Sequence, residues 1–110
     1  MTIIEKSREL SKKDFYMMTL SPAIKKMKDS VGTVLDVDAT VLYSDVNSDG
    51  KEVEVLSIMT KDGDVYATNS PTFKRDFQQI AELMAGEDYS IEVISGTSKA
   101  DREFITCTLV

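Results

Sequence analysis

The alternation of apolar and polar residues predicts five β-strands in this chain. The clearest runs over residues 33–43, where every second residue is apolar, as in a strand that buries one face. Four further strands are predicted over residues 51–60, 65–68, 89–94 and 103–109. In the second strand, Val53 and Val55 would lie on one face, whereas Leu56 and Ile58 would lie on the other. A bulge, or a strand shared between two sheet faces, would account for this change of phase.

Two helices are predicted from proline at the first helical position and from apolar residues at helical spacing. Ser21-Pro22 supplies an N-cap followed by proline, so a short helix is expected over residues 22–31. Ser70-Pro71 repeats that signal and opens a longer helix over residues 71–85. One side of the longer helix is apolar and should pack on the sheet through Phe73, Phe77, Ile80 and Met84.

The order of these elements, a short helix followed by β-β-β-α-β-β, predicts a mainly β fold. Three consecutive strands, one amphipathic helix and a closing hairpin are typical of the OB-fold, a five-stranded antiparallel barrel that is partly open. An SH3-like barrel and an α+β sandwich are alternatives that explain the helix position less simply. The chain is therefore divided into an N-terminal arm over residues 1–20 and a single OB-like domain over residues 21–110. Because the arm shows no clean period, it is expected to contact another subunit or to remain mobile.

Composition and charge restrict the chemistry that this fold can support. The 110 residues include no histidine, no tryptophan and one cysteine, which excludes an internal disulfide, catalysis by a histidine of this chain, and nearly every zinc site. The net charge of −6 divides unevenly, because residues 1–32 carry +3 and residues 33–110 carry −9. Such an acidic body is unsuited to gripping duplex DNA over a wide face, but a narrow basic groove is compatible with it. Without a bilayer-spanning apolar run or a recognisable signal peptide, a soluble cytoplasmic protein with no membrane partner is expected.

Three motifs suggest chemistry, and each has a simpler structural interpretation. Residues 45–50 match the first half of a calcium loop, but Leu56 occupies the position of the bidentate glutamate, so a hairpin tip is favoured. Carboxylate pairs such as Asp36 with Asp38 alternate with core residues, as side chains on a solvated strand face do. Cys107 alternates with apolar residues and is expected to be a buried, reduced thiol. No metal, cofactor or enzymatic activity is therefore predicted.

The remaining signal is a set of aromatic and basic residues at positions where an OB barrel contacts a single-stranded nucleic acid. Two side chains of the third strand would point outward, and the last strand would present a phenyl ring on its outer face. The two loops with which OB-folds hold oligonucleotides carry three basic residues. Glu52 and Glu54, on the outer face of the second strand, would repel phosphate and restrict its path. The candidate contacts are Tyr66, Thr68, Phe104, Lys51, Lys99 and Arg102.

Several segments carry a family resemblance, and in chain order they read SPAIKKMKD, VLSIMT, ATNSPTF, ISGTSK and EFITC. Over roughly residues 21–109 they resemble the small single-stranded DNA-binding proteins of phages that infect Gram-positive bacteria. The resemblance implies a protein that coats single strands during replication or recombination. The contacts that it implies are Tyr66, Lys99, Arg102 and Phe104.

Together these observations favour a non-enzymatic OB-like module that binds single-stranded DNA without base-specific readout in the cytoplasm of an infected bacterium. Homo-oligomers and contacts with host or phage replication proteins are expected as well. Two alternatives remain open. One is an acidic phage-encoded protein that binds and inhibits a host protein as a nucleic-acid mimic. The other is an oligomeric adaptor whose arm packs on a neighbouring subunit, and binding of fluorescent oligo-dT distinguishes DNA binding from both.

Overall fold

The computed structural model describes all 110 residues and contains seven β-strands and two α-helices. The strands are β1 (Thr2–Lys6), β2 (Lys25–Lys26), β3 (Val34–Val46), β4 (Glu52–Thr60), β5 (Val65–Thr68), β6 (Ser90–Thr97) and β7 (Glu103–Leu109). The helices are α1 (Lys12–Thr19) and α2 (Pro71–Leu83). Hydrogen bonding orders the strands β2-β5-β4-β3-β6-β7, and β1 pairs with β3 beside this path. Neither helix has the length and apolarity needed to span a membrane.

β3 curls the sheet because it pairs with different neighbours along its length. Residues 34–36 pair with β6, whereas residues 37–46 pair with β4. A bulge at Asp38 gives β3 one residue more than β4, and the odd-numbered side chains before and after it enter different cores. The alternation predicted for residues 33–43 is therefore confirmed, but it serves two cores rather than one.

Two hydrophobic cores lie on the two faces of the sheet. The larger core lies under α2 and includes Phe73. The smaller core lies under α1 and includes Met18, and Ile3 of β1 packs against it. β4 contributes to both, since Val55 packs against the smaller core and Leu56 belongs to the larger one. The change of phase predicted in this strand is thus explained by a strand shared between two covered faces.

α2 confirms the amphipathic helix predicted from its apolar spacing. The Ser70 hydroxyl caps it by accepting a hydrogen bond from the Phe73 amide at 3.3 Å, and Pro71 begins the helix. Phe73 and Phe77 are buried, and their stacked ring centroids lie 6.3 Å apart. The helix ends at Leu83, slightly before the predicted end.

The helix predicted over residues 22–31 is wrong, because this segment forms β2 and one 3₁₀ turn over Met27–Asp29. β2 runs parallel to β5, so the sheet is mixed rather than purely antiparallel. Ile24 packs against the smaller core, and Met27 belongs to the larger one. Residues three apart share a face in a helix, so burial on opposite sides of the sheet requires an extended backbone between them.

Residues 1–20 pack on the sheet of their own chain, so they are part of the fold rather than a mobile arm. That they also contact another subunit remains a prediction. β1 pairs antiparallel with β3, and α1 contacts β4 and β5 on the face of the smaller core. The Ser11 hydroxyl caps α1 by accepting from the Asp14 amide at 3.1 Å. No period was visible because α1 has eight residues and buries only Met18 completely. That residues 21–110 form a domain without this segment remains a prediction.

The prediction of a mainly β, OB-like fold is confirmed in its fold class, but the strand count and order differ from those of the predicted barrel. β3 to β7 and α2 reproduce the predicted sequence of five strands and a helix. The strand count and order differ, because two further strands precede them and β5 does not pair with β7. The sheet is therefore a curled half-barrel. α2 packs beside β7, where the Thr106 hydroxyl donates to the Asp76 carboxylate.

Candidate nucleic-acid interface

Three hairpin tips of the sheet share one five-residue geometry, at residues 47–51, 60–64 and 98–102. In each tip the backbone amide of the first residue donates to the carbonyl of the fifth residue at 2.8–2.9 Å. The amide of the fourth residue donates to the carbonyl of the first at 2.9–3.0 Å. A side-chain oxygen of the first residue accepts from the fifth amide at 3.0–3.3 Å, which requires a short polar side chain. The first residues are Asn47, Thr60 and Ser98. The hairpin interpretation of residues 45–50 is therefore confirmed.

The fourth residue of each tip has a left-handed backbone, which restricts the residue types that fit there. Gly50 and Gly63 fill this position in two tips, at φ values of 77° and 88°. Asp101 fills it in the third at 56°, and it is the one non-glycine residue with positive φ. Aspartate tolerates this region better than most residues because its short polar side chain can hydrogen-bond locally. The fifth residues are Lys51, Asp64 and Arg102.

The basic side chains divide into those that are paired within the chain and those that are free. Six of the thirteen form a salt bridge with an acidic side chain. All three basic residues predicted to contact nucleic acid are among the other seven. A free cation can neutralise a phosphate without breaking an internal pair, so these seven are best suited to a polyanion. They are Lys12, Lys13, Lys26, Lys28, Lys51, Lys99 and Arg102.

The β6–β7 hairpin brings three of the predicted contacts together. Lys99 and Arg102 lie in its tip, and Phe104 follows on β7, paired in register with Gly96. The phenyl ring lies across Gly96, with three ring atoms 2.5–3.1 Å from the position of a Cβ at residue 96. Phe104 is partly buried, and alternation puts it on the face of β7 opposite Ile105 and Cys107. That this face is open to DNA remains a prediction. The hairpin thus presents two free cations near an aromatic ring.

Lys51 is exposed and unpaired, but it lies on a different part of the sheet. The β3–β4 tip follows the C-terminal end of β3, whereas the β6–β7 tip extends past its N-terminal end. β3 has 13 residues, which corresponds to a contour of about 43 Å at about 3.3 Å per residue. Along the sheet, the two cationic tips are therefore at opposite ends of β3.

Tyr66 and Thr68 lie on β5, but neither forms an open stacking surface. Tyr66 belongs to the larger core and is 7% exposed, so the prediction of an outward, solvent-exposed ring is corrected. The Lys25 ammonium lies 5.3 Å from the ring centroid and 3.5 Å from the Asp64 carboxylate. The Thr68 hydroxyl accepts a hydrogen bond from the Ser70 amide at the entry to α2. Alternation separates the two faces of a strand, but it cannot reveal that both are covered.

The two basic residues of α2 form ion pairs within the chain. Lys74 is 18% exposed, and its ammonium donates to the Glu54 carbonyl at 2.9 Å. Arg75 is exposed and pairs with Asp76 at 3.2 Å. The hydrogen bond from the Thr106 hydroxyl, opposed by burial and assisted by Arg75, holds the pKa of Asp76 below its ordinary value. Lys74 also lies 3.9 Å from the Glu54 carboxylate, one of the groups expected to repel phosphate.

A groove of about 950 Å³ runs between α2 and residues 5–8, over β3 and β4. The basic residues that line it are all paired with acidic residues, and two of these partners, Asp38 and Glu54, line the same groove. The Arg8 guanidinium donates to Asp38 at 2.9 Å, and Lys74 is held by Glu54. This mixed arrangement of charge makes the groove a poorer phosphate site than the free cations of the hairpin tips.

A family described as Phage Single-stranded DNA-binding protein, of the Phi29 type, matches residues 22–110. The match covers 89 of the 110 residues, with all three hairpin tips and α2, whereas β1 and α1 lie outside it. It confirms the resemblance to phage single-stranded DNA-binding proteins. No curated protein and no solved structure matches the chain.

Proposed function

The chain belongs to the Phi29-type family of phage single-stranded DNA-binding proteins, and we propose that it covers single-stranded DNA without reading its base sequence. The β6–β7 hairpin is the principal contact, with Lys99 and Arg102 on phosphates and the Phe104 ring against a base. Lys51 adds a phosphate contact at the β3–β4 tip. No enzymatic step and no cofactor form part of this function.

Support comes from the charge and aromatic surface of the β6–β7 hairpin. Lys99 and Arg102 have no internal ion pair, and Phe104 follows the tip on β7. Lysine and arginine bind the phosphate of any nucleotide, and an aromatic ring stacks on any base. Proteins recognise the base sequence of DNA mainly through base edges and DNA shape. A hairpin that contacts phosphates and stacks a ring on bases is therefore suited to non-specific binding of single-stranded DNA.

Tyr66 and Thr68 remain proposed contacts in a changed role. A tyrosine ring that is 7% exposed has no open face on which a base could stack. Tyr66 would therefore act mainly by positioning the Lys25 ammonium at the edge of the sheet. Thr68 would act indirectly, because its hydroxyl holds the Ser70 amide where β5 leads into α2.

In the cell, this binding would protect single strands exposed during phage replication or recombination in the host cytoplasm. Other copies of the chain and proteins of the replication machinery would be its protein partners there. The excess of acidic residues after position 32 favours one alternative function, in which the chain binds a host protein by occupying its basic groove.

Fluorescent oligo-dT, titrated at several salt concentrations, tests the proposal. Each neutralised phosphate of a single strand contributes about −0.7 to the slope of log affinity against log salt. Replacing both Lys99 and Arg102 by alanine should therefore flatten the slope by about 1.4 and weaken binding.

Lys61 and Arg75 provide a matched control for that double variant. Lys61 occupies the same position in its tip as Lys99, but it pairs with Asp88 at 3.4 Å, and Arg75 pairs with Asp76 at 3.2 Å. Replacing both control residues by alanine should leave the slope at its wild-type value. Equal flattening in the two double variants would contradict the role of the hairpin. If the wild-type protein fails to bind oligo-dT even at low salt, DNA binding is refuted and the acidic protein-binding alternative is favoured.

A further inference from the structure

We propose that the outer face of α1 is a second contact surface for single-stranded DNA, in which Tyr16 stacks on a base and Lys12 and Lys13 bind phosphates. This inference rests on the proposed function, because it concerns the same ligand. It assigns a role to a segment that lies outside the residues matched by the family.

The outer face of α1 is defined by its helical geometry. Met18 is fully buried against the sheet. At about 100° per residue, the four residues opposite Met18 fall within an arc of about 100°. Tyr16 is 48% exposed and Leu20, which caps the helix, is 59% exposed. The four residues of this face are Lys12, Lys13, Tyr16 and Leu20.

Tyr16 differs from every other aromatic residue of the chain in its exposure. Phe73, Phe77, Tyr43 and Tyr66 are buried, and the remaining three aromatic residues are partly buried. Stacking on a base requires an accessible ring, and Tyr16 provides the most accessible one in the molecule.

The charge around this face favours a polyanion. Lys12 and Lys13 are exposed and have no acidic partner. Residues 10–28 carry five lysines and one acidic residue, a net +4 in a chain whose total is −6. A second copy that packed the same face against this one by two-fold symmetry would bring like charges together, whereas a nucleic-acid strand complements them.

β2 extends the cationic surface on the same side of the sheet. Lys25 contacts Tyr66 on the α2 side, so its neighbour Lys26, which pairs in register with Ala67, points to the α1 side. Lys26 is exposed and unpaired. A strand bound along this side therefore meets free lysines at α1 and at β2.

A tryptophan reporter tests whether DNA reaches this face in the full chain, which has no tryptophan of its own. In a Tyr16→Trp variant, the indole should be quenched when oligo-dT binds, because the base stacks on it. The matched control is Leu83→Trp, since Leu83 is 76% exposed on α2. Its emission should change little when oligo-dT binds.

Binding measurements give the second test. Replacing both Lys12 and Lys13 by alanine should flatten the salt slope by about 1.4. Tyr16→Ala should weaken oligo-dT binding by about 5- to 150-fold with the slope unchanged, because stacking displaces no counterions. Tyr16→Phe keeps the ring and should retain wild-type affinity.

The outcomes separate this inference from the function on which it rests. If the Lys99 and Arg102 double variant loses affinity while the α1 variants bind like wild type, the α1 surface is refuted and the proposed function stands. If Tyr16→Ala alters the sedimentation of the free protein and leaves DNA affinity unchanged, the face is a subunit contact and the inference is overturned. If the wild-type chain does not bind oligo-dT, both proposals fail.

Discussion

Gly96 and Phe104 face each other across the β6–β7 hairpin, and replacing the glycine tests how the aromatic ring is held. An alanine Cβ at residue 96 would lie 2.5, 2.9 and 3.1 Å from three atoms of the phenyl ring. Ordinary carbon contacts are about 3.5–4.0 Å, so the ring would have to move. Gly96 does not have a positive φ, and its backbone therefore accepts alanine without strain of its own.

The effect of Gly96→Ala on the stability of the protein depends, in size and in sign, on whether the Phe104 ring is present. With Phe104 in place, Gly96→Ala should cost about 1–3 kcal/mol, the usual range for forcing extra volume into a packed site. In a Phe104→Ala background the obstruction is gone. Gly96→Ala should then stabilise the protein by about 0.5–1 kcal/mol, because glycine weakens a strand interior by that amount relative to alanine.

This double-mutant cycle compares the wild-type protein, Gly96→Ala, Phe104→Ala and the double variant. Urea unfolding of the four proteins, followed by far-UV circular dichroism, measures their stabilities. The expected coupling between Gly96 and Phe104 is therefore about 1.5–4 kcal/mol, with a reversal of sign between the two backgrounds. If Gly96→Ala has the same effect with and without the ring, the ring does not lie across Gly96. Should the ring also contact a base, Gly96→Ala and Phe104→Ala will both weaken oligo-dT binding.

Three further predictions concern the cores. Phe77→Ala should destabilise the protein by about 3–5 kcal/mol in urea unfolding, since Phe77 is 3% exposed, while Leu83→Ala should change stability by less than about 0.5 kcal/mol. Deleting residues 1–20 uncovers the smaller core and should lower the urea midpoint, and an unchanged midpoint would show that the segment is dispensable. Burial, with a smaller effect of Asp76, raises the pKa of the Cys107 thiol from 9.0 to about 12. The folded protein then holds this proton more tightly than the unfolded one, so Cys107 stabilises fully below pH 9 and loses that contribution between about pH 9 and 12. A thiol reagent at pH 8 should label Cys107 only after unfolding, and rapid labelling of folded protein would contradict its burial.

The elements with strong local signals were predictable from the sequence. α2 has a serine cap, proline at its first position and a continuous apolar side, so its existence followed from local physics. The helix expected over residues 22–31 had the same cap and failed. Ile24 and Met27 enter different cores there, and tertiary burial on two faces of a sheet outweighs a local helical preference.

The candidate site was predictable in its charges and less so in its aromatic surface. Lys99 and Arg102 follow from turn chemistry, because a tip between two strands exposes its side chains. Tyr66 was assigned to an open face since alternation does not show what covers a strand. Tyr16 was missed within the segment interpreted as an arm. The four-residue spacing of Lys12, Tyr16 and Leu20 was the signal that could have identified a solvent-facing side of a helix.

The affinity of an acidic protein for a polyanion depends on the distance over which each charge acts. At 0.1 M salt the Debye length is about 10 Å, so Lys99 acts on an adjacent phosphate while distant carboxylates are screened from it. At 0.01 M it is about 30 Å, which is comparable with the 42 × 37 × 23 Å extents of the molecule. The strand then experiences the whole net charge of −6. Affinity for oligo-dT should therefore rise as salt falls and level off below roughly 0.03 M. A log–log plot that stays straight down to about 0.01 M would mean that the free cations outweigh the acidic body even when screening is weak.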